Sequence, residues 1–217
     1  MQMIKTMLKI PSQIYLLVGI LSFIFVFPLI DQNTIFDFIG PISYSIITLS
    51  ILSVIEKKKQ EKMKYLFVMI AFSLTLLWSF YLFPNPVLRV ISFLLSISVY
   101  LVATALLISQ VVKSKEVTVA VIVEAICAYL LIGVMFTLTN TLIWAFNHES
   151  FNMANVDVAD MIYYSYISII TIGYGDILPL SDLAKLSAVF FGLCGQLYLT
   201  IIMALIIGKF LNRKQTI

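Results

Sequence analysis

Six apolar stretches, each about as long as a bilayer crossing requires, limit this chain more than any other property of its sequence. They are Ile14–Ile30, Phe38–Ile55, Tyr65–Phe83, Val87–Val112, Val117–Phe146 and Leu183–Leu211. A hydrocarbon core about 30 Å thick takes about 20 apolar residues in a helix. Inside lipid each backbone N–H and C=O must be satisfied within its own segment, so the stretches are expected as helices. Only 12% of the 217 residues are charged, against about 25% in soluble domains. The sequence therefore predicts an all-α membrane protein with six transmembrane helices, and leaves almost nothing for a soluble domain.

Lysine and arginine set the expected orientation. Lys5 and Lys9 precede the first stretch, Lys57, Lys58, Lys59, Lys62 and Lys64 follow the second, Lys113 and Lys115 follow the fourth, and Lys209, Arg213 and Lys214 end the sixth. Threaded through six crossings, these twelve of the fourteen basic residues fall on one side, opposite Arg89 and Lys185. The positive-inside rule then makes both termini cytoplasmic, most simply in the cell membrane. The net charge of +3 reflects these anchors and gives no case for nucleic-acid binding. The first stretch is read as a retained helix, because Phe27-Pro28-Leu29-Ile30 does not resemble a signal-peptide cleavage site.

Between the fifth and sixth stretches lies Thr171-Ile172-Gly173-Tyr174-Gly175-Asp176. A helix-like run from Asp160 to Ile170 precedes it, and Pro179 leads on to the last apolar segment. This string, in this setting, closely resembles the selectivity filter of the potassium channel pore family, over about Val117 to Leu211. The form is that of a six-transmembrane, prokaryotic-type channel. Stacked backbone carbonyls can replace the hydration shell of a potassium ion when four chains surround one axis. Adjacent carbonyls face one axis only in backbone conformations that L-residues resist, and Gly173 and Gly175 reach positive φ cheaply. The resemblance implies that the carbonyls of Thr171, Ile172, Gly173 and Tyr174, with the Thr171 hydroxyl, form the K+ sites, and that Gly175 completes the filter. It also implies that Tyr174 packs behind the filter, held by an aromatic cuff from Tyr163 and Tyr164, and that Asp176 stands at the outer mouth. Some relatives have a glutamate four residues before the filter threonine as partner for that aspartate. Ile167 is there in this chain, so Asp176 lacks that partner.

The surrounding residues fit a pore unit. Asp157 and Asp160 are placed to cap the re-entrant pore helix and suit its positive end, whose opposite end near Ile170 favours a cation. Ser181 and Asp182 are candidate caps for the last helix. Gly192, Gly195 and Gly208 permit either bending or close packing; relatives bend the inner helix at such a glycine to open the gate, and Gly195, in mid-helix, is preferred slightly as hinge over Gly192. Gln196, Thr200 and Met203 are candidate cavity linings. Glu124 is either a functional intramembrane carboxylate, with Lys209 as its candidate partner, or an interfacial residue. Trp144 suits the outer interface. His148 is the only histidine and is expected in solvent. Cys127 and Cys194 fall inside helices, where a structural disulfide is not expected.

The first half gives less. Relatives with six helices often carry a voltage sensor here, built on a fourth helix with arginine or lysine at every third position, since gating charge must lie within the field. Val87–Val112 holds only Arg89, which is read as snorkelling at the outer interface. Steep voltage sensing is not expected. Serines and threonines such as Ser43, Thr48, Ser92, Ser96 and Thr104 suit close helix contacts, interhelical hydrogen bonds or a buried ligand site. Scaffold or lipid contact is the default reading of this unit.

The expected organisation is a four-helix N-terminal domain (1–115) and a pore domain (116–217), assembled as a homotetramer because one filter segment cannot surround an ion. The expected function is passive, potassium-selective conduction, with no cofactor beyond the permeant ion and with lipids as the remaining partners. No nucleophile–base pair, metal spacing or phosphate loop suggests an enzyme. A weakly selective cation channel would alter the filter, often at Tyr174, and a non-conducting scaffold or regulatory subunit would need neither Gly173 nor Gly175. Only six residues follow Leu211, so no cytoplasmic sensing domain is expected there. Lipid, tension, pH, a partner protein or constitutive leak are all open as gating modes.

Overall fold

A computed structural model describes residues 12–29, 39–54, 60–83, 85–153 and 157–214. The anchors Lys5, Lys9 and Lys57 to Lys59 and the first-loop acids Asp31 and Asp37 lie outside them. The described residues form seven α-helices with no extended strand, only an isolated bridge between Phe151 and Pro179. These are α1 (Ser12–Leu21), α2 (Ile39–Val54), α3 (Gln60–Leu82), α4 (Pro86–Lys113), α5 (Val119–Phe146), α6 (Val158–Ile169) and α7 (Asp182–Lys214). Among the described residues, three stretches are long and apolar enough to cross a membrane: Pro86–Lys113, Val119–Phe146 and Asp182–Leu211. Three apolar helical stretches are shorter: Gln13–Leu29, Pro41–Leu52 and Phe67–Ser79. The protein is thus a helical membrane protein.

Local chemistry explains the ends of the helices. Asn85-Pro86 is a helix start: the Asn85 side chain accepts from Val87 N–H at 2.9 Å, with Pro86 in the first turn, where its missing N–H costs nothing. Thr118 caps α5 in the same way, accepting from Val121 N–H. The first stretch is not one straight helix. α1 runs into a π-helical turn over Ser22–Val26 and a 3-10 turn over Phe27–Leu29, because Pro28 can neither donate to an α-helical carbonyl one turn back nor avoid crowding it.

α5 is the centre of the fold. Its residues are apolar on every side, so it has no face suited to water, and it packs against α1, α4, α6 and α7. Phe136 on α5 is fully buried, stacked on Phe191 of α7 at 4.9 Å and tilted against Tyr164 of α6. A buried polar chain crosses the same three helices: Asn140 Nδ2 donates to Ser165 Oγ (3.1 Å), and Ser187 Oγ donates to Asn140 Oδ1 (3.0 Å). In a low-dielectric interior such groups fix one packing register, since a slip would leave them unsatisfied.

The two halves of the chain share an interface. α1 lies against α5, where Gln13 Nε2 donates to Glu124 Oε1 at 2.9 Å. Lys209, the partner expected for Glu124, instead reaches the end of α4: its Nζ donates to the carbonyls of Val111 (2.6 Å) and Val112 (2.9 Å) and to Ser114 Oγ (3.1 Å). A cation there meets the last carbonyls and the negative end of the helix dipole.

Candidate functional site

α6 starts with a capping box. Asp157 accepts from Ala159 N–H, and Asp160 Oδ2 accepts from Asp157 N–H at 3.2 Å, as the two acids suggested. The end of α6 is held from three directions. Tyr129 of α5 donates its hydroxyl to Ile169 O (3.1 Å), and Tyr166 donates to Leu130 O (2.8 Å). Tyr198 of α7 stacks on Tyr129 and donates to Ala125 O (2.6 Å). Tyr166 lies so close to α5 that a Cβ at Gly133 would come within 2.5 Å of its ring.

Past α6 the first four N–H groups of the backbone donate back to the helix. Ile170 N–H donates to Tyr166 O, Thr171 N–H to Ser168 O, and the N–H groups of Ile172 and Gly173 both to Ile167 O, at 2.9–3.1 Å. Among the described residues, no hydrogen bond is accepted by the carbonyls of Thr171, Ile172, Gly173, Tyr174 or Gly175. Positive φ recurs at every second residue: 63° at Thr171, 54° at Gly173 and 79° at Gly175. Thr171 is the one non-glycine residue with positive φ among the described residues, a conformation that an L-residue holds only against strain. Every residue from Thr171 to Asp176 is exposed in the single chain. The result is a run of exposed carbonyls, Thr171 to Gly175, that accept no hydrogen bond among the described residues.

The two tyrosines expected as a cuff part company. Tyr163 is at the mouth, donating to Asp176 Oδ2 at 2.7 Å. That bond holds the Asp176 carboxyl below the ordinary carboxylate range and supplies the partner that Ile167 cannot. Tyr164 turns into the core, edge-on to Phe151 and against Phe136. Tyr174 is 72% exposed.

Gly195 meets the end of α6: a Cβ there would collide with Ile169 Cγ1, whereas one at Gly192 or Gly208 would meet nothing within 4 Å. The packing reading of Gly195 thus has a direct contact. Gln196, Thr200 and Met203 are exposed on α7, and Ser181 caps that helix by accepting from Ala184 N–H. Trp144 lies over His148 at 4.4 Å, with His148 exposed. Cys127 and Cys194 are free thiols.

Sequence reading passed over Asn152. Its side chain donates to Asp176 O (2.9 Å) and accepts from Leu178 N–H (2.7 Å), and its backbone N–H donates to Leu178 O (3.2 Å). No periodicity links residues 24 and 26 positions apart across a helix. Asn140, Ser165 and Ser187 were also missed, although polar residues inside apolar stretches are a visible signal.

Comparison with known proteins defines the class of this half. Residues 117–212 match the family described as "Ion channel". The chain is also similar to "Two-pore potassium channel 2" of Arabidopsis thaliana, with 35% identity over 83 residues, 38% of this chain and 17% of the relative. The chain thus accounts for about a sixth of the length of that curated relative. No solved structure matches significantly. Together these similarities support an ion channel class for residues 117–212, and not an enzyme class.

Proposed function

We propose that this chain is the subunit of a potassium-selective channel that conducts K+ passively through a homotetrameric pore. The observation that carries the reading is the row of unpaired carbonyls from Thr171 to Gly175, with positive φ at alternate residues and the N–H groups of Thr171, Ile172 and Gly173 donating to α6. Four such rows around an axis supply the stacked oxygen rings that replace an ion's water. Thr171, Ile172, Gly173 and Tyr174 bind the ion, Gly175 completes the curve, and Tyr163 and Asp176 support the mouth. The name of the Arabidopsis relative favours potassium as the ion.

Tetramer formation is supported by the face that α7 leaves open. The most apolar window of α7 is 22% buried in one chain, against 61% for α5. Leu183, Leu186, Leu193 and Leu197 are each more than half exposed at helical spacing. In the assembly neighbouring copies cover part of this face and the exposed ring of Tyr174. The full topology is six crossings with both termini cytoplasmic in the cell membrane, residues 1–115 forming one unit and 116–217 the pore, with lipid around both. No cofactor takes part beyond the permeant ion. Gly192 is retained as hinge candidate beside Gly195, whose contact with Ile169 gives it a packing role as well.

The test is a current–voltage curve of purified protein in a planar bilayer, with potassium on one side and sodium on the other. A reversal potential close to the potassium limit is expected. Conduction without discrimination defeats the selectivity claim, and an intact tetramer that never conducts under any membrane tension, pH or lipid composition supports a scaffold instead.

A further inference from the structure

We propose that Asn152 is a positioning residue that fixes where the filter's row of carbonyls ends, a role that rests on the filter reading of residues 171–176. Residues 177–181 lie between the filter and α7 and belong to no helix or sheet of their own. Their support is a seam made by the segment after α5. Leu180 and Ser181 N–H both donate to Ser150 O, Phe151 bridges to Pro179, and Asn152 takes the part nearest the filter. Its carboxamide spans the two peptide groups that flank Ile177: Nδ2 donates to Asp176 O and Oδ1 accepts from Leu178 N–H, at 2.9 and 2.7 Å.

The consequence lies in the acceptors. The carbonyls of residues 171–175 accept nothing among the described residues, whereas that of Asp176 is occupied by Asn152. The row of free oxygens therefore stops at Gly175. The same Asp176 is held through its side chain by Tyr163 from α6, so one residue is gripped from two elements, by backbone and by carboxylate. An amide is suited to this task because it presents a donor and an acceptor in one fixed plane. Aspartate would keep the acceptor for Leu178 but turn a second oxygen toward Asp176 O. Alanine would release both peptide groups. Since the two Asn152 side-chain bonds are exposed, their contribution to overall stability is modest; their effect falls on the shape of the mouth.

The experiment compares single-channel currents of the full chain as wild type, N152A, N152D and Y163F in bilayers at low and high external potassium, alongside tetramer yield. Ions that bind the conducting filter stabilise it by mass action. In low potassium the conducting periods of N152A and N152D are expected to shorten about fivefold or more, the factor matching one lost hydrogen bond of ordinary strength. High potassium should restore them, with unchanged tetramer yield. Unchanged lifetimes overturn the proposal. So does equal shortening at both concentrations, which is the mark of a general structural role. If neither Asn152 variant assembles while Y163F does, Asn152 is a folding requirement and the positioning role is wrong. Wild-type currents that do not discriminate potassium from sodium remove the filter reading itself, and that result is separable because it precedes any variant.

Discussion

The two halves of this molecule use polar side chains in different ways. In α2, α3 and α4 most hydroxyls bond back to their own helix. Ser45 donates to Pro41 O, Ser50 to Ile46 O, Ser79 to Thr75 O, Ser92 to Leu88 O and Ser98 to Leu94 O. The exception is a small interhelical cluster, in which Tyr44 meets Ser73 and Tyr100 meets Thr48. In α5 to α7 the threonines also bond back to their own helix, as Thr137 does to Gly133 O and Thr200 to Gln196 O, but larger polar side chains reach across to the backbone of other elements: Tyr129 to Ile169, Tyr166 to Leu130, Tyr198 to Ala125 and Asn152 to Asp176. A regular helix satisfies its own backbone in lipid, so the first half can keep its hydroxyls local. A segment with positive φ at alternate residues cannot, and must be held in shape from outside.

Substitutions can break this contrast or sharpen it. The largest effect is expected from G173A and G175A. A Cβ at either position meets nothing within 4 Å, so the cost is conformational, about 1–2 kcal/mol per chain for holding an L-residue left-handed. Repeated in four subunits, this should abolish potassium selectivity in bi-ionic reversal measurements. Intact selectivity in both variants would mean that the positive φ values are dispensable.

Next comes G195A, whose Cβ would press on the fully buried Ile169. Thermal dissociation should show a loss of about 1–3 kcal/mol, the usual range for overpacking, relieved in I169A/G195A. G192A has open space and should stabilise the helix by up to about 1 kcal/mol. If G192A and not G195A reduced channel opening, the bend would belong to Gly192.

A smaller effect is expected at the mouth. The Tyr163 bond depresses the Asp176 pKa, so its contribution is complete above the ordinary aspartate value of about 3.9 and is lost as pH falls through the lowered one. In Y163F the carboxyl should titrate at a higher pH than in wild type, by infrared difference titration. Coincident titrations would show that the bond does not form.

The smallest effects belong to the first half. Y100F removes one hydroxyl from the Thr48 contact and should cost about 1 kcal/mol of thermal stability with no change in reversal potential. A change in selectivity there would dissolve the division between the halves.

What could be read in advance was whatever is local or periodic. The apolar run Val87–Val112 is α4 within a residue or two, the acids at 157 and 160 form a capping box, and Ser181 caps α7. The positive φ at Gly173 and Gly175 was legible because the need for it is written in residue type. Long-range pairs carry no such mark. Gln13 and Glu124 lie 111 positions apart, and a charged residue seeking a partner could as well be assigned to Lys209, as it was. Tyr164 looks like Tyr163 in sequence, yet one faces Asp176 and the other Phe136, because neighbouring helical residues point about 100° apart and only packing decides which meets the mouth. The interruption at Ser22–Val26 was signalled by Pro28, but the form of the distortion was not.

The contact between Lys209 and the end of α4 also bears on the order in which the molecule is made. A chain grows from its N-terminus, so α4 is complete long before the residue that covers its last carbonyls has been synthesised. The carbonyl of Val111 has the Ser114 hydroxyl at once, but that of Val112 waits through almost a hundred further residues for Nζ of Lys209. The closing turn of the last helix thus finishes a helix in the first half, and a nascent chain released before that turn would leave the end of α4 without its cation.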